Sequence, residues 1–384
     1  MVDAVEGSDP NGVLRSMGSV SVRDVLEFWQ RKGTLSLIGA GINHLTGPYL
    51  GKTGSVFHHI QREVDTYDSF SYPLSYRLWL YRNGFLSESG VLFGLTESNV
   101  ESYLSSIDMY LRTHELNGRA SVATEDKQLF QQLIGTHYAE YLPTVYGRID
   151  GGDFVRSTES ADSTGRSLEE LVAAEGKLVL KPIRGGGGDD VYVVDDSAAL
   201  SQIPMHNRYV VTEFIRQHEY AATIFPDSVN TVRLLTMIDP ETNEAFIPAA
   251  VHRFGTVESG PVDNWSAGGM TAGIDRETGV LGRAVTYPGT RDRLWHDAHP
   301  DTGEPIAGVE IPGWKRVREV VREIATTYGD TLKYVGWDVV VTADERPFVI
   351  IEGNSAPGVT TIQPHVPLLA DPRVKRFFRH HGAI

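Results

Sequence analysis

Two apolar runs near the end of the chain, residues 337–342 (WDVVVT) and 348–354 (FVIIEGN), each carry oxygen-bearing side chains inside hydrophobic sequence. The short polar link 343–347 joins them, which reads as a β-hairpin. Strand side chains alternate between faces, so Glu352 and Asn354 project together, and with Thr342 placed opposite Phe348 the pairing sets Asp338 directly opposite Glu352. Facing carboxylates repel unless a cation lies between them. Asp338, Glu352 and Asn354 are hard oxygen donors, and with bridging phosphates such a set suits Mg²⁺.

A second constellation supplies the positive charge. Residues 177–181 (KLVLK) read as a short strand ending in Lys181, followed by Pro182, Arg184 and the run Gly185, Gly186, Gly187 and Gly188, then a second strand at 191–194. Glycines let backbone N–H groups come close to a polyphosphate, while Lys181 and Arg184 provide cations for it. Residues 209–215 (YVVTEFI) form an apolar strand whose end could offer its backbone to an adenine edge, with Glu213 accepting from the exocyclic amine and Glu219 from ribose hydroxyls. Arg233, inside an otherwise apolar strand, is the best arginine for a transferring phosphoryl group, because an unpaired guanidinium there is costly. His252 and Arg253 form a further basic pair.

Composition narrows the partners. The 384 residues carry 50 acidic against 35 basic side chains, a net charge of −15, which argues against nucleic acid as a partner. The absence of cysteine excludes disulfides, thiolate metal sites and a cysteine nucleophile. The first residues, MVDAVEGSDPNG, are acidic and polar where a secretory leader is basic and then apolar, and the run 35–50 is too broken for a membrane span. A disordered start, a cytoplasmic location and no membrane partner are expected.

The pattern from 22 to about 116 favours helices, with apolar spacing in SVRDVLEFWQR and in TESNVESYLSSIDMYLRTHEL. From about 118 the texture changes to strands and glycine-rich loops, with a helix at 125–134. Two domains are expected: a helical region over 1–117, and 118–384 with lobes 118–212 and 213–384. Gly39-Ala-Gly41 lacks the third glycine of a dinucleotide fingerprint, and 47–53 is one residue short of a P-loop. His296 and His299 read as surface histidines, not as a zinc pair.

The order of these motifs resembles the ATP-grasp superfamily over about 118–384: Lys127 in the helix 125–134, Lys181-Pro before a glycine hairpin, Glu213-Phe-Ile with Glu219, and Asp338 with Glu352-Gly-Asn354. The run from Glu352 to Thr360 is similar to the E-x-N-x-x-P-G-h-T run of D-alanine–D-alanine ligases, where h is apolar. That resemblance implies an α+β ATP-grasp fold, two subdomains sandwiching ATP, with a helical N-terminal region added. It implies that Lys127 and Lys181 hold the ATP phosphates, that Glu213, Phe214 and Ile215 form the adenine hinge, that Glu219 binds ribose, and that Asp338, Glu352 and Asn354 ligate magnesium, in two ions. Gly336 stands where those ligases carry an arginine two residues before the metal aspartate, so their substrate does not carry over. The whole chain looks more like the sugar-transfer-associated branch, through Glu213-Phe-Ile, Asn230-Thr-Val-Arg233, Gly268-Gly269 and Gly336-Trp-Asp338. The activity expected is ATP-dependent ligation: Lys181 and Arg233 assist transfer of the γ-phosphoryl group to a small-molecule carboxylate, and an amine or other nucleophile then takes the acyl group. The alternatives are phosphoryl transfer to a hydroxyl, or nucleotide binding without catalysis.

Overall fold

Long apolar strands need partners on both edges, and here they find them in two antiparallel sheets. The computed structural model describes residues 70–157, 166–185, 190–288, 291 and 293–384, together with Thr34, Ile60, Gln61, Glu63 and Val64. In chain order the strands are β1 (Val145–Asp150), β2 (Asp153–Arg156), β3 (Leu178–Pro182), β4 (Tyr192–Val194), β5 (Tyr209–Glu213), β6 (Val232–Ile238), β7 (Ala245–Phe254), β8 (Met270–Ile274), β9 (Leu281–Thr286), β10 (Trp295–His296), β11 (Tyr334–Val341) and β12 (Phe348–Asn354). The smaller sheet runs β2-β1-β5-β3-β4 and the larger β10-β9-β8-β7-β6-β11-β12.

Alternation sorts the larger sheet's faces. One buries Leu234, Ala250, Trp337 and Ile350 under the helix Trp314–Thr327, whose Val317, Val320, Val321 and Ile324 form its apolar stripe. The helix Lys127–Tyr138 reaches the same core through Phe130 and Ile134, with the Phe130 ring 6.2 Å from Trp337. The opposite face places Leu235, Val251 and Tyr334 against Ile362, Leu368 and the helix Pro372–His380. Arg233 and Asp338 belong to this second face, by the same alternation.

The smaller sheet closes on Ile149, Leu180, Tyr209 and Val211 under the helix Leu168–Glu175, which opens with a Ser167–Glu170 capping box. Its β1–β2 turn is Gly151-Gly152, at φ 63° and 94°, the positive pair that a two-residue hairpin turn demands. Asp126 joins the two parts. It caps the helix Lys127–Tyr138 by accepting from the Gln128 and Leu129 N–H groups, each at 3.1 Å, and the Lys127 N–H donates to the Ile183 carbonyl at 2.9 Å just past β3.

Several sequence expectations shift. The helix expected at 125–134 runs Lys127–Tyr138, because Asp126 is its cap. The helical run expected after Thr96 breaks into Val100–Ser102 and Ser106–Arg112: Leu104 is tied to Gln363 through both its N–H at 2.7 Å and its carbonyl at 3.0 Å, between extended Tyr103 and Ser105, and Ser105 caps a new helix. His299 is buried against Phe225 and bonded to the Gly255 carbonyl, and β10 ends at His296, so the two share no helix and only His296 is near the surface. The SVRDVLEFWQR segment, Gly39-Ala-Gly41, residues 47–53, and Gly186, Gly187 and Gly188 lie outside the described residues. Among the described residues no helix is long and apolar enough to cross a membrane.

Candidate active site

A row of cross-strand partners builds the site. Glu352 on β12 pairs with Asp338 on β11, and Asp338 pairs with Arg233 on β6. The expected pairing of Asp338 with Glu352 holds, but by another route: Val341, not Thr342, faces Phe348, and a bulge between Asp338 and Val339, which leaves Ile351 unmatched, restores the alignment. Asn354 lies two residues beyond Glu352, opposite Gly336, and its Nδ2 donates to Glu352 Oε1 at 3.3 Å and to the Gly336 carbonyl at 3.4 Å. Its side-chain oxygen remains an acceptor on the face of the two carboxylates.

Charge is concentrated here away from the surface. Arg233 grips Asp338 through Nε to Oδ1 and through Nη2 to Oδ2 at 2.7 Å, and Arg253 Nη1 adds a contact to Oδ2 at 3.2 Å. Burial on its own would raise the Asp338 carboxyl; the Arg233 guanidinium overrides it, by charge and hydrogen bond, and holds it well below the usual carboxylate range. Glu352 goes the other way. Burial pushes it up and the Asp338 charge adds to that, with Lys127 and Arg233 opposing.

Residues from the smaller sheet lean on the same point. Lys181, at the end of β3, is partly buried, and burial lowers its ammonium pKa while the charges of Glu352 and Asp338 act to raise it. Lys127 Nζ donates to the Gly185 carbonyl at 2.7 Å, and Gly185 sits at φ 122°, backbone open to glycine. Arg184 is largely exposed, with Nε 3.3 Å from Asp126 Oδ2. Lys181, from the smaller sheet, and Lys127, at the start of its helix, therefore bring positive charge towards Glu352, while Arg184 and Gly185 follow β3 beside Asp126 and Lys127.

Glu213 is placed otherwise than the sequence led us to expect. Both Glu213 oxygens are taken by Arg346, at 2.6 and 2.9 Å, and Oε1 also accepts the Thr144 N–H at 2.7 Å. Burial would raise this carboxyl, but the Arg346 and Thr144 hydrogen bonds bring it below its ordinary value. A carboxylate so committed fixes the end of β5 and is not a free acceptor for an adenine amine. The Ile215 side chain packs with Val340 and Val349, and the Phe214 ring lies under Lys177 Nζ at 5.3 Å. Glu219 is exposed at the start of the helix Glu219–Ile224.

Sequence reasoning missed Asp126, Asp263 and Arg346. Asp126 had a readable signal, an aspartate directly before a helix. Arg346 sits in the hairpin loop and Asp263 in a long loop, where nothing in the local pattern marks them.

Among the described residues no group of three or more His, Asp or Glu side chains is placed to hold a metal. The set Asp338, Glu352 and Asn354 has two carboxylates and one amide, which fits a hard divalent cation in donor type, with both Asp338 oxygens held by Arg233 and Arg253.

Residues 197–366 match the family described as sugar-transfer associated ATP-grasp. No curated protein matches the chain. Among solved structures it is similar to a D-Ala:D-Ser ligase from Enterococcus faecalis, with 12% identity over 67% of this chain and 61% of that one at a TM-score of 0.35. It is also similar to a D-alanine–D-alanine ligase from Bacillus anthracis, with 13% identity over 68% and 69% of the two chains at 0.36. A biotin carboxylase from Campylobacter jejuni gives 11% identity over 68% and 47% at 0.37. The chain spans 61% of the Enterococcus ligase and 62% of a D-alanyl-alanine synthetase from Vibrio cholerae. With two antiparallel sheets and helices packed on them the fold is α+β, and it is residues 197–366 of it that match the sugar-transfer associated ATP-grasp family.

Proposed function

We propose that this chain is an ATP-dependent ligase that activates a small-molecule carboxylate as an acyl phosphate and joins it to an amine. The observation that carries the reading is the convergence of Lys181, from the smaller sheet, on the Glu352–Asp338–Arg233 row of the larger one. In this reading the two sheets belong to two lobes, 118–212 and 213–384, that clasp a nucleotide. Lys127, Lys181, Arg184 and the loop Gly185 to Gly188 hold its phosphates, residues 213–215 offer backbone to the base, and Glu219 takes the ribose. Asp338, Glu352 and Asn354 would hold magnesium, which when bound supplies charge neutralisation for the phosphates. Arg233 and Lys181 offset the negative charge that develops as a carboxylate oxygen bonds to the γ-phosphorus and the bond from that phosphorus to the β–γ bridging oxygen breaks, releasing ADP. The amine nitrogen then bonds to the acyl carbon, the carbon–oxygen bond to phosphate breaks, and the amine proton is lost.

The test is a panel of carboxylates with Mg·ATP. A ligase releases ADP and phosphate, yields a hydroxamate when hydroxylamine replaces the acceptor, and moves ¹⁸O from carboxylate into phosphate. A phosphorylated alcohol that accumulates with neither signature converts the reading to a phosphotransferase. Nucleotide binding without turnover across the panel favours a regulator.

A further inference from the structure

Arg253 is the single cation in the apolar strand β7 and is partly buried, with its guanidinium shared between two carboxylates from different parts of the fold. Its Nη2 donates to Asp263 Oδ1 at 2.8 Å and its Nη1 to Asp338 Oδ2 at 3.2 Å. Asp263 comes from the loop between β7 and β8. It is 8% exposed, and its Oδ2 accepts the Thr231 N–H at 2.9 Å and the Thr231 hydroxyl. A carboxylate taken this far from water is costly unless its oxygens are filled, and here three donors fill them.

The two arginines on Asp338 are not equivalent. Arg233 spends Nε and Nη2 on Asp338 alone, a bidentate fork. Arg253 has its shorter bond on Asp263 and only one longer contact to Asp338. The Asp338 contact is thus the weaker of the two, and Asp263 would hold Arg253 in place if Nη1 turned to another acceptor beside the site. A guanidinium stays protonated and its donors are rigidly arranged, so a donor delivered this way suits a phosphoryl oxygen.

We propose that Arg253 binds the γ-phosphoryl group at the Asp338–Glu352 site and that Asp263 is its positioning residue, with Thr231 anchoring Asp263. The proposal rests on the phosphoryl-transfer reading given above, in which that group passes from the ADP oxygen to a carboxylate oxygen.

The experiment compares binding of Mg·ADP and of the Mg complex of the β,γ-imido analogue of ATP to the full chain, by calorimetry. The readout is the ratio of the two affinities, which isolates the γ-phosphoryl contribution. Arg253→Gln and Asp263→Asn are expected to keep Mg·ADP affinity within about twofold while the ratio falls about tenfold, the size of one charge-assisted hydrogen bond. Asp263→Glu is expected to recover most of the ratio. Arg253→Lys keeps the charge but cannot bond both carboxylates at once, is expected to show a partial fall, and carries the test if either other variant fails to fold. An unchanged ratio in the folded variants overturns the proposal, as does an equal loss for both nucleotides, which marks a merely structural role. Failure of the unaltered protein to bind Mg·ADP instead sinks the nucleotide reading beneath it.

Discussion

Arg233 on β6 and Asp338 on β11 are direct cross-strand partners, and the guanidinium covers both oxygens of the carboxylate, with Nη2 to Oδ2 at 2.7 Å. Asp338→Asn strips the counter-charge from a buried arginine and weakens the hold on a second one. Breaking a buried pair from one side costs about 3–5 kcal/mol, whereas replacing both partners by apolar residues of similar volume costs much less. Urea unfolding without added metal is therefore expected to show a large loss for Asp338→Asn and a smaller one for Arg233→Met combined with Asp338→Leu. Arg253 keeps Asp263 in either case. Equal losses would mean that the pair's charge is not what stabilises this row.

Lys181→Ala removes an ammonium that Glu352 and Asp338 attract and that burial disfavours. Burial outweighs that attraction, so the ammonium is not what holds the fold together and the protein is expected to stay folded. Nucleotide affinity is expected to fall about tenfold or more, the scale of one lost charge-assisted contact. Calorimetry with the β,γ-imido analogue checks it, and an unchanged affinity removes Lys181 from the phosphates.

Which parts were legible follows from what each signal depends on. The hairpin and its acidic pair could be read because alternation is local, yet the bulge at Ile351 could not, since nothing in FVIIEGN distinguishes an unmatched residue from a paired one. Arg233 stood out as a cation among apolar neighbours. By the same logic Arg253 could have been promoted from a basic pair to a site residue. Asp263 was invisible because its meaning comes from Thr231 and Arg253, which reach it only after β6 and β7 pair. The break at Leu104 depends on Gln363, far along the chain, and helical spacing cannot report such a contact.

The Arg346–Glu213 fork ties the β11–β12 loop to the end of β5. Arg346→Ala leaves Glu213 partly buried with only the Thr144 N–H as a described partner, and the backbone of residues 213–215 loses a restraint. Nucleotide affinity is expected to weaken severalfold for ATP and for adenosine alike, because the restraint acts at the base end. A loss confined to triphosphates, seen by calorimetry, would contradict a hinge role.

His252 gives a pH dependence with a definite sign. It is fully buried, stacked on Phe254 and bonded through Nε2 to the Tyr220 hydroxyl at 2.8 Å and through Nδ1 to the Arg253 carbonyl at 3.1 Å. Burial, against the backbone hydrogen bonds of Arg253 and Thr231, depresses it to about 3. The unfolded chain takes up this proton below about pH 6.5 while the folded one does not, so stability falls as pH drops from about 6.5 towards 3. The slope from one such group is at most about 1.4 kcal/mol per pH unit. His252→Phe is expected to be less stable at neutral pH, with Tyr220 left unbonded, but to lose stability less steeply on acidification. Urea titrations across pH 4 to 7 would show identical slopes if His252 were already protonated in the folded protein.

Gly336 tests how tightly the row is built. It lies opposite Leu235 on β6 and Asn354 on β12, two residues before Asp338. A Cβ placed there would come within 2.6 Å of Pro357 Cβ and 3.1 Å of Arg233 Cδ. The Arg233 stem thus occupies the space a side chain at 336 would take, and Pro357 seals it from the loop that follows β12. Gly336→Ala must move one or both. Overpacking of this kind costs about 1–3 kcal/mol, and shifting the Arg233 stem draws its fork off Asp338. Thermal unfolding is expected to report the stability loss, and calorimetry a weaker binding of Mg·ATP analogues, beyond what an equally destabilising core change such as Val320→Ala produces. If Gly336→Ala and Val320→Ala lose stability equally and both bind the analogue as the unaltered protein does, the space over Gly336 is packing alone and the place of Arg233 does not depend on it.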